Sequence, residues 1–124
     1  MTNTRFPNLF IVGAPKCGTT ALSHYLAGHP QIFMTESVNI KEPHYFCSDL
    51  KVPHLPWRIS DESAYLQLFD NADQKATYWG EASPSYLFSE VAVPRILQIC
   101  LNPRFIVMLR NPIEQAHSAH NEYA

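Results

Sequence analysis

The sequence predicts an α/β fold in which a parallel sheet lies between layers of helices. Two short, unbroken apolar runs, residues 9–12 and 105–109, have the composition of strands that are buried on both faces. Segments in which apolar residues have helical spacing alternate with these runs. In sheets of this kind ligands bind at the carboxyl ends of the strands, so we expect the functional residues there.

The first half of the chain contains two predicted strands and two predicted helices. The first strand ends at Gly13, and the helix that follows stops before Gly28. The stretch 41–57 mixes prolines, aromatic residues and histidines without a period and is predicted to be an ordered loop region. Ser60 or Asp61 can cap the helix that comes next. The elements predicted here are strand 9–12, helix 18–27, strand 31–34 and helix 61–69.

The second half repeats the alternation of strands and helices. Pro94 lies in the first turn of a predicted helix, where proline is tolerated because first-turn N–H groups have no partner within the helix. Asn111, Pro112 and Glu114 supply the N-cap, the first-turn proline and the capping acid of the last helix. The elements predicted here are strand 77–81, helix 93–101, strand 105–109 and a helix from 112 to 124.

The end of the sequence predicts an incomplete sheet. The last helix has no stopping signal before Ala124. The chain also contains only about half the strands that a nucleotide-binding sheet usually has. We therefore expect residues 1–124 to be the N-terminal part of a single, larger domain.

The composition excludes several classes of function. Charged residues are only 16% of the chain and the formal net charge is -2, so no global positive field is available for a nucleic acid or an anionic membrane. The longest apolar runs fall far short of the roughly 20 residues that cross a bilayer, so no membrane span is predicted. The chain shows no secretory signal and no disulfide-like cysteine spacing, and is predicted to be cytoplasmic.

Residues 13–20, Gly-Ala-Pro-Lys-Cys-Gly-Thr-Thr, lie between a predicted buried strand and a helix N-terminus. Free backbone N–H groups and the positive end of the helix dipole predict a phosphate or sulfate site at this turn. The two glycines have the separation of a P-loop, but Thr19 stands where that motif has lysine, and Lys16 lies inside the loop instead. The alternative interpretation of Lys16 is a surface lysine in an ordinary turn.

The residues favour transfer of a sulfuryl group over transfer of a phosphoryl group. A nucleoside triphosphatase needs a hydroxyl and an acid to hold magnesium, and no clear second acid follows an apolar strand, since Leu109 precedes Arg110. A sulfuryl group carries less charge, and a lysine with amide donors can manage it without a metal. Lys16 would then stabilise the charge on the leaving oxygen.

At these residues the chain resembles the sulfotransferases that use 3'-phosphoadenosine 5'-phosphosulfate (PAPS) as donor. The loop of that family reads Pro-Lys-(Ser, Cys or Ala)-Gly-Thr-Thr, and residues 15–20 match it throughout. The resemblance implies a three-layer, P-loop-type parallel sheet flanked by helices. It also implies that six residues bind the 5'-phosphosulfate, namely Pro15, Lys16, Cys17, Gly18, Thr19 and Thr20.

A second element of that family is an arginine at a strand end and a serine on the next helix, which together hold the 3'-phosphate. Arg110 and Ser118 match it in residue, spacing and predicted context. Ser118 is about two turns from Asn111 on nearly the same helix face, so the two side chains can converge on one anion. Without the resemblance, Arg110 could equally form an ordinary ion pair at a strand end.

Residues 41–46, Lys-Glu-Pro-His-Tyr-Phe, are similar to the Lys-Glu-x-His-Phe-Phe segment of the carbohydrate, heparan-type sulfotransferases. The resemblance implies that Glu42 is the general base that accepts the acceptor's proton as sulfur is attacked. His44 is the alternative base, since the small-molecule branch of the family uses histidine. A further alternative is a solvated Lys-Glu pair beside a buried aromatic anchor.

Residues 80–86 are similar in part to a fourth segment of the family, which follows a strand and lines the acceptor cleft. The heparan-type enzymes have a lysine where this chain has Ala82, which disfavours a highly anionic polysaccharide as acceptor. Glu81 could help to orient the acceptor or could have a structural role at the strand end.

The sequence therefore predicts a sulfotransferase that transfers a sulfonate group from PAPS to a hydroxyl or amine of a small-molecule or carbohydrate acceptor. No metal is predicted, because two closely spaced pairs, His117 with His120 and His44 with Cys47, have no third ligand nearby. Full-length relatives have a further C-terminal half, which implies weak donor binding or inactivity of this chain alone. The alternative is another P-loop nucleotide-binding protein, kinase-like or non-catalytic, and the sequence predicts no oligomeric state.

Overall fold

The computed structural model describes residues 5–38, 40, 42–51 and 57–123 of the 124-residue chain. Its strands are β1 (Leu9–Gly13), β2 (Ile32–Met34), β3 (Tyr78–Ala82) and β4 (Arg104–Val107). Its helices are α1 (Thr19–Ala27), α2 (Glu62–Gln67), α3 (Ala92–Ile99) and α4 (Pro112–Tyr123). The strands are parallel and form one sheet in the order β2-β3-β1-β4. The predicted α/β class with a parallel sheet is confirmed.

Each strand and helix that the sequence predicts is present, with ends that differ by at most two residues. Asp61 caps α2, since its Oδ2 accepts the N–H of Ala64 at 3.0 Å. The predicted end of the last helix, at 124, lies outside the described residues. Two 3₁₀ helices, Thr35–Val38 and Pro84–Phe88, were not predicted. Such short helices show no period in their apolar residues, and each of these directly follows a strand or lies one residue after it.

The central strand β1 buries both of its faces, as its unbroken apolar run predicts. Leu9 and Ile11 pack in a cluster with residues of α1. Phe10 and Val12 point to the opposite face, into a larger and strongly aromatic cluster that includes residues of α2 and α3. The sheet thus lies between two layers. Because β1 lies between β3 and β4, the start of the turn that follows β1 is held in place by neighbours on both sides.

Strand β4 differs from the sequence-based expectation of a second fully buried strand. Its side chains are half-buried or exposed, with Val107 47% exposed, and Leu109, two residues beyond the end of β4, is 80% exposed. Within the described residues β4 pairs only with β1 and forms an edge of the sheet. An apolar run shows that a strand is suited to burial, but burial depends on a neighbouring element that the run does not itself supply.

None of the described helices has the length and apolarity needed to span a membrane. The three cysteines, Cys17, Cys47 and Cys100, are buried free thiols. Burial raises the pKa of the Cys100 thiol to about 12 and also raises the pKa of Cys47. These two side chains are therefore protonated core residues at neutral pH.

Gly13 is required by the close approach of the 3₁₀ helix Pro84–Phe88 to the end of β1. A Cβ at this position would lie 2.8 Å from Leu87 Cβ and 3.2 Å from the Pro84 carbonyl oxygen. We expect Gly13→Ala to lower the free energy of unfolding by about 1–3 kcal/mol because the helix must move away. Gly28→Ala is the control, since its Cβ makes an ordinary 3.5 Å contact. Denaturant unfolding of both variants checks this, and equal stabilities would contradict it.

Candidate functional site

Four segments meet at the carboxyl edge of the sheet because all four strands are parallel. Residues 13–20, called here the phosphate loop, run from the last residue of β1 into the first turn of α1. Residues 42–47, called here the 42–47 loop, come after β2 and its 3₁₀ helix. Ser83 follows β3, and Arg110 follows β4. The sheet therefore gathers the segments that the sequence analysis singled out.

The backbone of the phosphate loop is shaped to hold an anion. Lys16 and Gly18 have left-handed backbone, with φ of 63° and 86°, while Cys17 does not and the ring of Pro15 keeps its φ negative. Alternating hands of this kind turn neighbouring N–H groups toward one point. Gly18 is the N-cap of α1 and has no side chain to bond the first-turn N–H groups, and no acid lies in that turn.

The side chains of the phosphate loop divide into two groups. Cys17 and Thr19 are buried, and the Cys17 thiol donates to the carbonyl oxygen of Pro15 at 3.5 Å. Lys16 is half-buried and Thr20 is exposed. Lys16 and Thr20 are therefore the side chains that can reach a ligand, while Cys17 and Thr19 offer mainly their backbone N–H groups.

Arg110 lies against the phosphate loop. Its Nη1 donates to the main-chain oxygen of Lys16 at 2.9 Å. The end of β4 is held to the same loop by two backbone bonds, from the Ala14 N–H to the Met108 oxygen at 2.9 Å and from the Met108 N–H to the Gly13 oxygen at 2.8 Å. The structure thus brings together two of the predicted donor-binding elements, Lys16 and Arg110.

Arg110 also forms the ion pair that was its alternative interpretation. Its Nε lies 3.6 Å from Oε2 of Glu114, one turn along α4, and both side chains are exposed. An exposed pair of this type contributes little stability, so it leaves the guanidinium able to exchange partners. Asn111 caps α4 as predicted, with Oδ1 accepting the Ile113 N–H at 2.9 Å. The side chain of Ser118 lies outside the described part of the structure.

The 42–47 loop contains a buried histidine and a half-buried glutamate. His44 has a left-handed backbone, φ 57°, and its Nδ1 lies 2.7 Å from the Ser85 hydroxyl. Burial lowers the pKa of His44 to about 4, so the imidazole is neutral at pH 7. Glu42 is only half-buried. Lys41, its predicted solvated partner, lies outside the described residues.

Glu81, a candidate for orienting the acceptor, is fully buried at the end of β3. Its Oε1 accepts the Ser83 hydroxyl at 2.5 Å, and its Oε2 accepts the hydroxyls of Tyr86, at 2.9 Å, and of Tyr65. Burial raises the pKa of the Glu81 carboxyl to about 7, and the three hydroxyl donors act in the opposite direction. A side chain without solvent access cannot touch an acceptor, so of the two roles open to Glu81 the structural one applies.

The raised pKa of Glu81 makes stability depend on pH. Below about pH 4.5 the carboxyl is protonated in both folded and unfolded chains; between 4.5 and about 7 only the unfolded chain releases the proton. Relative to Glu81→Gln, we expect wild-type stability to fall by about 3 kcal/mol over this range and then stay level. Urea unfolding at pH 4.5 and 7.5 measures the difference, in which His44 cancels because both proteins contain it. A difference that does not change with pH would contradict the expectation.

Sequence reasoning did not find the hydroxyl groups around Glu81. Tyr65 lies in the predicted helix 61–69 and Tyr86 in the partial family segment 80–86, and neither pattern marks a hydroxyl as the partner of a buried acid. The available signal was an acid within an apolar strand: a buried carboxylate requires donors, and nearby Tyr and Ser hydroxyls are the residues that can supply them.

No group of three or more His, Cys, Asp or Glu side chains is arranged to hold a metal ion within residues 5–38, 40, 42–51 and 57–123.

Comparisons with known proteins point to one family. A sequence model described as the sulfotransferase family matches residues 7–123. The membrane-associated sulfotransferase kil1 of Dictyostelium discoideum is 30% identical over 115 residues, which are 93% of this chain and 22% of that protein. Heparan sulfate glucosamine 3-O-sulfotransferase 6 of Mus musculus is 35% identical over 117 residues, 92% of this chain and 30% of that protein.

Two further comparisons agree in sequence and in fold. The bifunctional heparan sulfate N-deacetylase/N-sulfotransferase 1 of Homo sapiens is 29% identical over 120 residues, 94% of this chain and 13% of that protein. The crystal structure of a sulfotransferase from Alicyclobacillus acidocaldarius superposes with a TM-score of 0.84 and 36% identity, covering 96% of this chain and 50% of that one. The chain therefore spans half of that structure and less than a third of each of the three relatives.

Proposed function

The chain belongs to the sulfotransferase family, and from this membership we propose that it transfers a sulfonate group from PAPS to a hydroxyl or amine of a carbohydrate-like acceptor. The observation that carries the proposal is the contact between the phosphate loop and Arg110. Two cationic side chains, those of Lys16 and Arg110, thereby belong to one site beside a helix start that has no acid. Such a site suits a ligand with two separated anionic groups.

The described residues fit PAPS as the donor. PAPS would supply an activated sulfonate and a phosphate oxygen as leaving group. The N–H groups of residues 16–20 and the Lys16 ammonium would bind the 5'-phosphosulfate, and Lys16 would stabilise the charge that develops on the leaving oxygen. Arg110 would bind the 3'-phosphate, together with Ser118 as the resemblance implies. Gly18 supports the fit, because the left-handed backbone at this position, φ 86°, is part of the alternation that makes the N–H groups converge and is strained for a residue with a side chain.

Glu42 is the proposed general base. It is half-buried, so it has solvent access that the largely buried His44 lacks. Nδ1 of His44 is also engaged with the Ser85 hydroxyl. A carboxylate that reaches the edge of the sheet can take the acceptor's proton as sulfur is attacked, which favours Glu42 over His44 for this role.

The proposed acceptor is a carbohydrate that carries few sulfate groups. Two relatives are named for action on heparan sulfate. Ala82 offers no cation to a polyanion, which favours a hydroxyl or amine in a less sulfated chain. Trp57 lies beside the site, 47% exposed, with its ring centroid 5.9 Å from that of His44 in an edge-to-face arrangement. Its exposed ring supplies an apolar surface against which a sugar can pack.

The second candidate function is nucleotide binding or phosphoryl transfer by a P-loop protein of another kind. The glycine spacing of the phosphate loop favours it, whereas Thr19 in place of the P-loop lysine disfavours it.

The predicted cytoplasmic location and the assignment of residues 1–124 to the N-terminal part of one domain stay predictions.

The test is a transfer assay with two donors on the full-length protein. We expect ³⁵S from labelled PAPS to enter N-desulfated heparan sulfate without added magnesium. The same protein with γ-labelled ATP and magnesium is expected to label neither the polysaccharide nor a protein substrate. Phosphate transfer in the absence of sulfonate transfer would support the second candidate and refute the first.

A further inference from the structure

We propose that Glu81 is a positioning residue for the reaction: it fixes the 42–47 loop through two hydroxyl groups, each of which joins its carboxylate to a backbone N–H of that loop. The inference rests on the proposed function, because the loop matters as the segment that holds Glu42. Glu81 is fully buried, so it acts through these groups and touches neither donor nor acceptor.

The first connection runs through Ser83. Its hydroxyl donates to Glu81 Oε1 at 2.5 Å and accepts the N–H of His44 at 3.0 Å. The left-handed backbone of His44 is costly for a residue other than glycine and persists only where its surroundings hold it. The bond from the His44 N–H to Ser83 is one of the contacts that hold it.

The second connection runs through Tyr86. Its hydroxyl donates to Glu81 Oε2 at 2.9 Å and accepts the N–H of Phe46 at 3.2 Å. Phe46 is itself fully buried. The loop is therefore tied to one carboxylate at two N–H groups, both within four residues of Glu42.

The polarity of these bonds fits an ionised carboxylate, which accepts hydrogen bonds at both oxygens. A serine or tyrosine hydroxyl has one hydrogen, and when Glu81 accepts it the hydroxyl oxygen is left to accept the loop N–H. Burial raises the pKa of Tyr86 well above its usual range, so its hydroxyl stays a donor. An amide at position 81 offers one acceptor oxygen and an NH₂ group, so either the Ser83 hydroxyl or the two tyrosine hydroxyls would face a donor and have to turn their hydrogens away.

Stability alone does not account for a carboxylate at this place. Removing a charge from water costs free energy, and well-packed apolar residues in place of buried charges are often as stable or more so. The feature that the carboxylate supplies and an apolar residue cannot is the fixed position of the 42–47 loop.

Tyr65 offers a matched control within the same network. Its hydroxyl donates to Glu81 Oε2, as the Tyr86 hydroxyl does. Among the described residues, however, no hydrogen bond joins the Tyr65 hydroxyl to the 42–47 loop. Tyr65→Phe thus removes one buried bond and leaves both connections, whereas Tyr86→Phe removes the same kind of bond together with one connection.

Amide hydrogen exchange measures the two connections without any ligand. In Glu81→Gln we expect the amide of His44, the amide of Phe46 or both to exchange about tenfold faster or more than in wild type, relative to core amides such as Ile11. In Tyr65→Phe both rates are expected to stay within about twofold of wild type. Ser83→Ala removes the acceptor for His44 alone and is the second variant if Glu81→Gln fails to fold.

The rate of sulfonate transfer from PAPS to N-desulfated heparan sulfate supplies the second measurement. Glu81→Gln and Tyr86→Phe are expected to lower kcat about tenfold or more, with KM for PAPS within about twofold of wild type. Tyr65→Phe is expected to keep kcat within about threefold. Combining Glu81→Gln with Ser83→Ala should cost less than the sum of the two single effects, since the Ser83 connection is one of the two that start at Glu81.

Two results would overturn the inference: equal losses of kcat in Tyr65→Phe and Tyr86→Phe, or unchanged exchange at His44 and Phe46 in Glu81→Gln. A separate result would refute the proposed function alone. Wild-type protein could transfer no sulfonate while the variants show the expected changes in exchange. Glu81 would then hold the 42–47 loop, but the chemistry assigned to Glu42 would be wrong.

Discussion

Lys16→Ala is expected to lower the rate of sulfonate transfer by about 100-fold or more while the fold stays intact. Lys16 is the only formally charged side chain between Arg5 and Glu36, so no neighbour in the phosphate loop can replace its ammonium. The bond from Arg110 ends on the main-chain oxygen of Lys16 and survives the substitution. Transfer of ³⁵S from PAPS, together with circular dichroism of both proteins, measures the two effects.

Lys75→Ala is the control for this substitution, because Lys75 is exposed in a turn before β3, away from the carboxyl edge. It removes the same charge and should leave transfer unchanged. Near-normal turnover in Lys16→Ala would exclude Lys16 from the chemistry.

Glu42→Gln is expected to lower kcat by about 10²- to 10⁴-fold, the range that a general base contributes. Glutamine keeps the size of the side chain but cannot accept the acceptor's proton. KM for PAPS should change little, since Glu42 is assigned to the acceptor and not to the donor. Steady-state kinetics with N-desulfated heparan sulfate measures both constants.

A parallel pair of variants separates the two candidate bases. Glu90→Gln changes an exposed glutamate whose bond to the chain beyond the 42–47 loop is made by its backbone N–H, to Asp49 Oδ2 at 2.9 Å, and not by its side chain. This variant should retain wild-type kcat. His44→Gln is expected to have a smaller effect than Glu42→Gln. If His44→Gln abolished turnover while Glu42→Gln retained it, the base would be the histidine.

The phosphate loop and most elements of the fold could be predicted because their signals are local. Gly13 and Gly18 mark a turn between a strand and a helix, and Lys16 is conspicuous within an apolar stretch. Asp61 and Asn111 cap helices through bonds to residues two or three positions further along the chain. Signals of this kind need no knowledge of the tertiary structure.

The network around Glu81 could not be predicted because it is assembled from separate parts of the chain. Tyr65 belongs to α2, Tyr86 to a 3₁₀ helix that shows no period, and the loop amides to residues before position 50. The exposure of Val107 was unpredictable for a related reason, since burial of a strand depends on the elements that cover it. Arg110 could be predicted in part. The sequence indicates that it lies at the end of a strand, but its contact with Lys16 follows only from the order of the strands, which puts β4 beside β1.

The central claim is that one bound molecule places an anion in the phosphate loop and a second anion at Arg110. Isothermal titration calorimetry of the full-length protein with adenosine 3',5'-bisphosphate, 5'-AMP and ATP with magnesium tests it directly. We expect the bisphosphate, without magnesium, to bind most tightly of the three, and Arg110→Ala to weaken its binding more than it weakens the binding of 5'-AMP. Tighter binding of ATP, a strict need for magnesium, or equal affinities for the bisphosphate and 5'-AMP would contradict the account.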